Sequence, residues 1–336
     1  SLFEAPDGRI WIGLRRPGVV EFDGRRFRSY GPENGIAGFV IATATDHEGN
    51  LWMGTRSEGL IRVAHGGLTG YGRSEGLDLG ARAPTLVPDP RGPPAVVDNS
   101  GRIFLFEDER FIPVRPPLPI EGDFIALADS GGDWWFGTAS ALYRFAHPDR
   151  PSDLANARPV AVYTIREGLP EGGIASLCED SRRDIWIGAD ATPSLVRWER
   201  ATNSFHRFGV EDGVPASAPY SCAEDARGNL WFSVRGGLLR YADGRFRLIT
   251  SKDGLPEYAY SRLHVDRRGR LWIAAPAVGV IRSDEPHAER PRFVLLTAKQ
   301  GLTSRQVNGI TEDAWGRIYI VGHHGGERLD PETGRV

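Results

Sequence analysis

The sequence has almost no lysine. Lys252 and Lys299 are the only two among 336 residues, so its positive charge is carried by arginine. A guanidinium is a planar fork of donors, and basic contacts made with it suit carboxylate or sulfate. The formal net charge is −3 and the basic residues are spread thinly, which excludes broad attraction to nucleic acid or anionic lipid. Cysteine is scarce too, and Cys178 and Cys222 show neither CxxC spacing nor a neighbouring histidine cluster, which argues against zinc. There is no run of about 18 apolar residues, and therefore no segment to span a membrane as a helix. No stretch sustains a 3.6-residue apolar period. GxSxG, HExxH and a helix-opening GxGxxG are all missing, which removes the motifs of the common hydrolases and nucleotide enzymes. The chain begins at Ser1 without an initiator methionine or a charged-then-apolar leader, so it is expected to be a mature or excised segment of something longer.

What is present is apolar mass and repetition. A hydrophobic share of 40%, a charged share of 25% and nine Trp describe a folded chain with ample core. Sliding the sequence against itself gives DHEGNLWMGT from Asp46, DSGGDWWFGT from Asp129, DSRRDIWIGA from Asp180, DARGNLWFSV from Asp225, DRRGRLWIAA from Asp266 and DAWGRIYIVG from Asp313. A weaker copy, DPRGPPAVVD from Asp89, has Ala95 where the others have an aromatic, and the first copy centres on Trp11. Eight copies result, spaced by about 44 residues, a length that suits four short strands and four turns.

Each conserved position has a physical reading. The Asp six before the aromatic and the Gly three before it bracket a tight hairpin turn. The aromatic fills the space between neighbouring twisted sheets, and a later Gly opens a third strand. A Gly-Leu-like pair, such as Gly168-Leu169 or Gly254-Leu255, leads into the next repeat. The fold class expected is all-β: a single β-propeller domain over residues 1–336, made of four-stranded antiparallel blades, with eight blades favoured and seven as the alternative. The repeat units fall near 1–35, 36–77, 78–118, 119–168, 169–213, 214–254, 255–301 and 302–336. Cys178 and Cys222 stand in neighbouring repeats but one position out of register, and buried thiols are expected in preference to a disulfide, leaving the redox compartment open.

The pattern D-x-x-G-x-[LI]-W-[IMF]-G-T, preceded by Gly-Leu and followed by Gly-[LV]-x-R, resembles the two-component regulator propeller repeat. DHEGNLWMGTRSEGLIRV matches it almost residue for residue, and the resemblance recurs along essentially the whole chain. It implies the periplasmic or extracytoplasmic input domain of a membrane sensor, joined to a signalling module elsewhere on a longer chain, and a family association with saccharides. The family's familiar members carry seven-bladed propellers, from which eight copies depart.

Ligand residues should sit where equivalent positions of the repeats disagree. The start of each first strand is expected to line the mouth of a central channel. There the sequence offers Phe39, Arg82, Glu121, Asp123, Tyr220, Tyr258, Tyr260, Arg305 and Gln306 as ligand-binding candidates. Aromatics beside carboxylates and Arg suit a sugar, whose apolar face stacks and whose hydroxyls bridge polar groups. The bland alternative is blade packing and solvated rim charge. His323 and His324 are neighbours on one strand and face opposite ways, so they cannot chelate one ion together. His264 is read as a buried or channel histidine. The Glu-Asp pairs at 179–180, 224–225 and 312–313 recur with the repeat and belong to its turn. No catalytic residue, metal or cofactor is assigned. The partners expected are a small-molecule or oligosaccharide ligand, the downstream module of the same longer chain and a second copy in a homodimer. The other two functions considered are a protein-interaction scaffold, with the Pro-rich segments from Arg91 and Val114 as docking loops, and a metal-dependent lyase resembling streptogramin lyase.

Overall fold

The structure, a computed structural model, describes residues 2–329. Excepted within that span are 6–7, 15, 35, 37, 47–49, 57–58, 65–66, 72–74, 78–84, 88, 90–92, 94, 98–101, 109, 120–123, 149–150, 190–193, 258–261, 277, 301, 303–306, 313–317 and 323–324. Every extended element is a β-strand in an antiparallel up-and-down sheet, and among the described residues the only helices are short 3-10 turns. The fold is an all-β propeller of four-stranded blades. The four-stranded blades occupy residues 2–30, 40–71, 85–114, 125–163, 174–208, 221–249, 262–296, and the last repeat forms a three-stranded sheet over 307–329. Complete four-stranded blades therefore number seven, the alternative count, in place of the eight favoured from the repeats. The eighth copy supplies the hairpin and third strand but no fourth strand among the described residues.

The chain divides into two compact units, Ser1–Tyr163 and Thr164–Val336, each carrying four of the sheets. Within a unit the first strands of successive blades lie side by side, as do Ser221–Glu224, Arg262–Val265 and Val307–Glu312.

The repeat's Asp does more than bracket a turn. In the sixth blade Asp225 Oδ1 accepts the backbone N–H of Arg227 and of Asn229, each at 2.9 Å, while Oδ2 accepts the indole N–H of Trp231 at 3.3 Å. The same indole bond is 2.8 Å for Trp52 to Asp46, 2.9 Å for Trp135 to Asp129, and 2.8 Å for Trp186 to Asp180 and for Trp272 to Asp266. Each indole is thus satisfied although fully buried. The arginine of Gly-[LV]-x-R, with Ala141 and Ser194 standing for the Gly in two blades, lies over the same ring. Arg62, Arg144, Arg197, Arg240 and Arg282 stand 5.6, 5.5, 5.7, 5.8 and 5.6 Å from the ring centroids of Trp52, Trp135, Trp186, Trp231 and Trp272. One carboxylate, one indole and one guanidinium clamp each of these blades.

The core lies between blades. Trp186 of the fifth blade packs against Phe232 and Tyr241 of the sixth, with centroids 5.5 and 5.0 Å away. The Gly-Leu pair closes the repeat for two separate reasons. Gly254 ends a 3-10 turn at φ 84°, a left-handed conformation that glycine adopts without a Cβ penalty. Leu255 then drops its side chain into the core with 1% exposure. The Glu preceding the turn Asp joins blades: Glu224 accepts from the backbone N–H and hydroxyl of Ser181 at 2.7 and 2.6 Å, and Glu312 from the N–H of Arg267 at 2.8 Å.

Cys178 and Cys222 form a disulfide, with Cα atoms 6.6 Å apart, which corrects the expectation of free thiols. The offset that argued against the bond is what permits it. Cys178 pairs across its sheet with Trp186, whose side faces the sixth blade, while Cys222 pairs with Phe232, whose side faces the fifth. Cysteines in equivalent register would both point the same way around the repeat, and one-residue displacement turns them toward each other.

Candidate functional site

The disulfide forms one wall of a pocket of about 210 Å³ between the fifth and sixth blades. Its floor is apolar, made by Trp186, Leu195 and Phe232, and its polar rim carries Ser176, Ser221 and Arg262 beside Tyr220. Three local features shape it. The first strand of the fifth blade, Ile174–Glu179, is bulged between Ile174 and Ser176, which re-aims Ser176 relative to a regular strand. Gly188 keeps the space open, because a Cβ there would collide with Ser176 Oγ and lie 2.8 Å from Pro219 Cδ. Ser221 Oγ accepts the backbone N–H of Leu263 at 3.4 Å, which ties the rim to the first strand of the seventh blade, where Arg262 begins. Arg262 has no ion-pair partner among the described residues. Tyr220 is anchored through its backbone N–H to Ser233 O at 2.9 Å, yet its side chain is 54% exposed. The chemistry on offer is a ring face, a guanidinium and two hydroxyls around an apolar floor. This arrangement is suited to binding and orienting a ligand, and among the described residues that line it no nucleophile stands beside a base.

Of the nine residues that the sequence offered, Tyr220 belongs to this pocket. Phe39, 37% exposed, stands in the other unit, where it forms a parallel bridge to Gly18. Arg82, Glu121, Asp123, Tyr258, Tyr260, Arg305 and Gln306 lie outside the described residues, as do His323 and His324. The sequence reading missed Arg262, Ser176 and the disulfide wall. The disagreement between repeats that marked Tyr220 also holds two residues on, where Cys222 occurs once in that strand position.

His264 is mostly buried, and burial pushes its imidazole below the usual histidine range, with Arg267 adding to that and Asp266 opposing it. Its Nε2 lies 4.0 Å from Glu312 Oε2 of the next sheet, and neither that nitrogen nor Glu312 Oε1 has a hydrogen-bond partner among the described residues. Burial raises the Glu312 carboxyl above its ordinary value. No group of three His, Cys, Asp or Glu able to hold a metal ion occurs among the described residues.

No family model matches this sequence, and no curated protein matches it. Among solved structures the chain is similar to the extracellular domain of BT4673 from B. thetaiotaomicron, at 20% identity and a TM-score of 0.48 over 99% of this chain and 47% of that one. It is similar to the extracellular domain of the hybrid two-component system BT3049 from the same organism, at 15% identity and a TM-score of 0.50 over 99% of this chain and 56% of that one. It is also similar to virginiamycin B lyase from Staphylococcus aureus, at 15% identity and a TM-score of 0.62 over 86% of this chain and 94% of that one. The chain spans about half the length of the two extracellular domains. The likenesses to BT3049 and the lyase establish the β-propeller fold, which sensors and lyases share, and leave function to the residues. No helix among the described residues is long and apolar enough to cross a membrane.

Proposed function

We propose that this chain is a non-catalytic, ligand-sensing propeller domain from the extracytoplasmic input region of a two-component signalling protein, and that its pocket takes a small saccharide. The observation that carries this reading is the half-exposed ring of Tyr220 beside Arg262, Ser176 and Ser221 over an apolar floor. A sugar offers one apolar face to stack on an aromatic ring and a rim of hydroxyls to bridge hydroxyls and guanidinium. A volume of about 210 Å³ suits a ligand smaller than the drug-sized occupants of pockets above roughly 300 Å³. The disulfide supports an extracytoplasmic setting, because such bonds persist in oxidising compartments and are rare in the cytosol. The likeness to the extracellular domain of a hybrid two-component system supports a downstream signalling module on a longer chain. Phe39, Arg82, Glu121, Asp123, Tyr258, Tyr260, Arg305 and Gln306 remain candidates at the corresponding positions of other blades, and a homodimer remains part of the proposal.

The test is a thermal-shift screen against mono- and oligosaccharides, because a ligand that binds the native state raises its melting temperature. A sugar-specific shift is expected, weakened at least tenfold in apparent affinity by Tyr220→Ala and by Arg262→Ala, neither of which removes a buried side chain. A shift left intact in both variants would move the site elsewhere, and no shift with any sugar would remove the saccharide.

A second reading, catalysis of the lyase type, is favoured by one observation: His264 and Glu312 approach each other from neighbouring sheets, each with an atom that has no hydrogen-bond partner among the described residues. Divalent metal in the same screen tests it. A melting shift with metal, abolished by His264→Gln, would favour this reading over the first.

A further inference from the structure

The sixth blade departs from the others at its outer edge. Its clamp arginine, Arg240, stands directly opposite Arg247 on the fourth strand, Arg245–Ile249. The residues opposite Arg144, Arg197 and Arg282 are Ala161, His206 and Val294. Like charges directly opposed across an antiparallel pair destabilise it. Three other blades also give this arginine a counter-charge: Asp133 lies 2.6 Å from Arg144, Asp184 lies 3.9 Å from Arg197 and Asp284 lies 2.8 Å from Arg282. In the sixth blade the position of Asp133 and Asp184 is held by Asn229, whose amide is turned to Asp225 at 2.9 Å. Arg240 is left without an ion-pair partner among the described residues, although its buried Nε, with no hydrogen bond there, is no different from that of Arg197 in the fifth blade.

Arg245 precedes Arg247 by two residues and so shares its face of the strand. It is exposed and has no ion-pair partner among the described residues. Arg247 is held by Asp253 at 3.1 Å and donates to the carbonyl of Glu289. The three arginines, with Ala242, Asp243 and Phe246, line an open cleft of about 400 Å³. Three guanidiniums stand against Asp243 at this cleft and Asp253 already holds Arg247, so one positive charge is in excess there, which favours an anion. A second cleft of about 560 Å³ shares Arg247 and adds Lys252 and Arg290 against Asp253 and Glu289.

We propose that this cleft binds a sulfate or phosphate group carried by a small ligand, with Arg240 and Arg245 donating to its oxygens and Arg247 supplying the third charge. Trp231 beneath Arg240 holds its plane in place, which pre-orients a fork suited to two oxygens of one tetrahedral anion. Burial, and then the charge of Arg247, push Arg240 below the usual guanidinium range, so the anion relieves a repulsion already built into the sheet. The site lies on the third and fourth strands, across the sheet from the Tyr220 pocket, and stands independently of that pocket's ligand.

Calorimetric titration with sodium sulfate and with inorganic phosphate, at ionic strength held constant with sodium chloride, tests it. Saturable one-to-one binding is expected, weakened at least tenfold by Arg245→Ala and by Arg240→Lys, and unchanged by Tyr220→Ala. Affinity should fall as chloride is raised, because exposed charge is screened. Glucose 6-sulfate compared with glucose distinguishes the sources: tighter binding of the ester than of free sulfate assigns the group to a sugar, and the reverse assigns the site to the free anion. Absence of saturable binding above the chloride control, or equal binding in wild type and Arg245→Ala, overturns the proposal.

Discussion

Reduction of the Cys178–Cys222 disulfide is the sharpest single perturbation, because it changes one covalent bond and leaves every side chain in place. The bond closes a loop with a sequence separation of 44 residues. Fixing the ends of such a loop removes about 13 cal/mol/K of chain entropy from the unfolded state, or about 4 kcal/mol at 25 °C. For a unit the size of Thr164–Val336, where 1 kcal/mol moves the midpoint by roughly 2–4 °C, the reduced protein should melt roughly 8–16 °C lower than the oxidised one. The assay is paired thermal melts with and without reductant, alongside thiol titration in denaturant without reductant. Titration should find no free thiol. Two titratable thiols per chain in protein prepared under oxidising conditions, or a reduced form melting within about 2 °C of the oxidised one, would refute the assignment of this bond as a structural staple between blades.

Two further outcomes follow from groups inside the blades. Asp225→Ala strands the buried Trp231 indole and frees two backbone N–H groups of the turn, and should cost about 2–4 kcal/mol in urea unfolding, whereas Trp231→Phe, which removes the donor itself, leaves no unpaired indole and should cost less. The pH dependence of stability carries the mark of His264. Its folded pKa lies below the ordinary 6.5, so below that pH the unfolded chain takes up a proton that the folded one does not, and stability declines as pH falls, by at most about 1.4 kcal/mol per pH unit. His264→Gln should therefore lose less stability than wild type between pH 7 and pH 5.5. Glu312, raised above 4.5 by burial, acts in the opposite sense, so a variant that declines as steeply as wild type counts against the histidine.

The architecture was legible because a propeller writes itself repeatedly. An Asp and a Gly, each in seven of the eight copies, and a Trp in six, all at fixed offsets, leave little besides a hairpin closed and packed in much the same way each time. The reason for the Asp was less legible. A turn explains an Asp without reference to Trp, and the six-residue reach from Asp225 to the Trp231 indole emerges only once the hairpin has folded back on itself. The disulfide was misread because register was treated as a requirement for meeting, when strand alternation makes equivalent positions point the same way and only displaced ones converge. Tyr220 was singled out by its place in the repeat, and it lines the pocket. Arg262 was not, because it begins the first strand of the next blade and nothing in the linear sequence brings position 262 to position 220.

The clamp, in each of the five blades that carry it, is short in sequence. Asp225, Trp231 and Arg240 close on one another within the first three strands of the sixth blade, before its outer strand has joined. Such local closure makes folding cheap in chain entropy and lets each hairpin assemble on its own before neighbours dock, as in other arrays stabilised by nearest-neighbour interfaces. It also confines damage. A lesion in one clamp should open one blade as a local unit in hydrogen exchange and leave protection in distant blades unchanged, so that a single repeat can depart from the pattern, as the copy with Ala95 does, without forfeiting the rest.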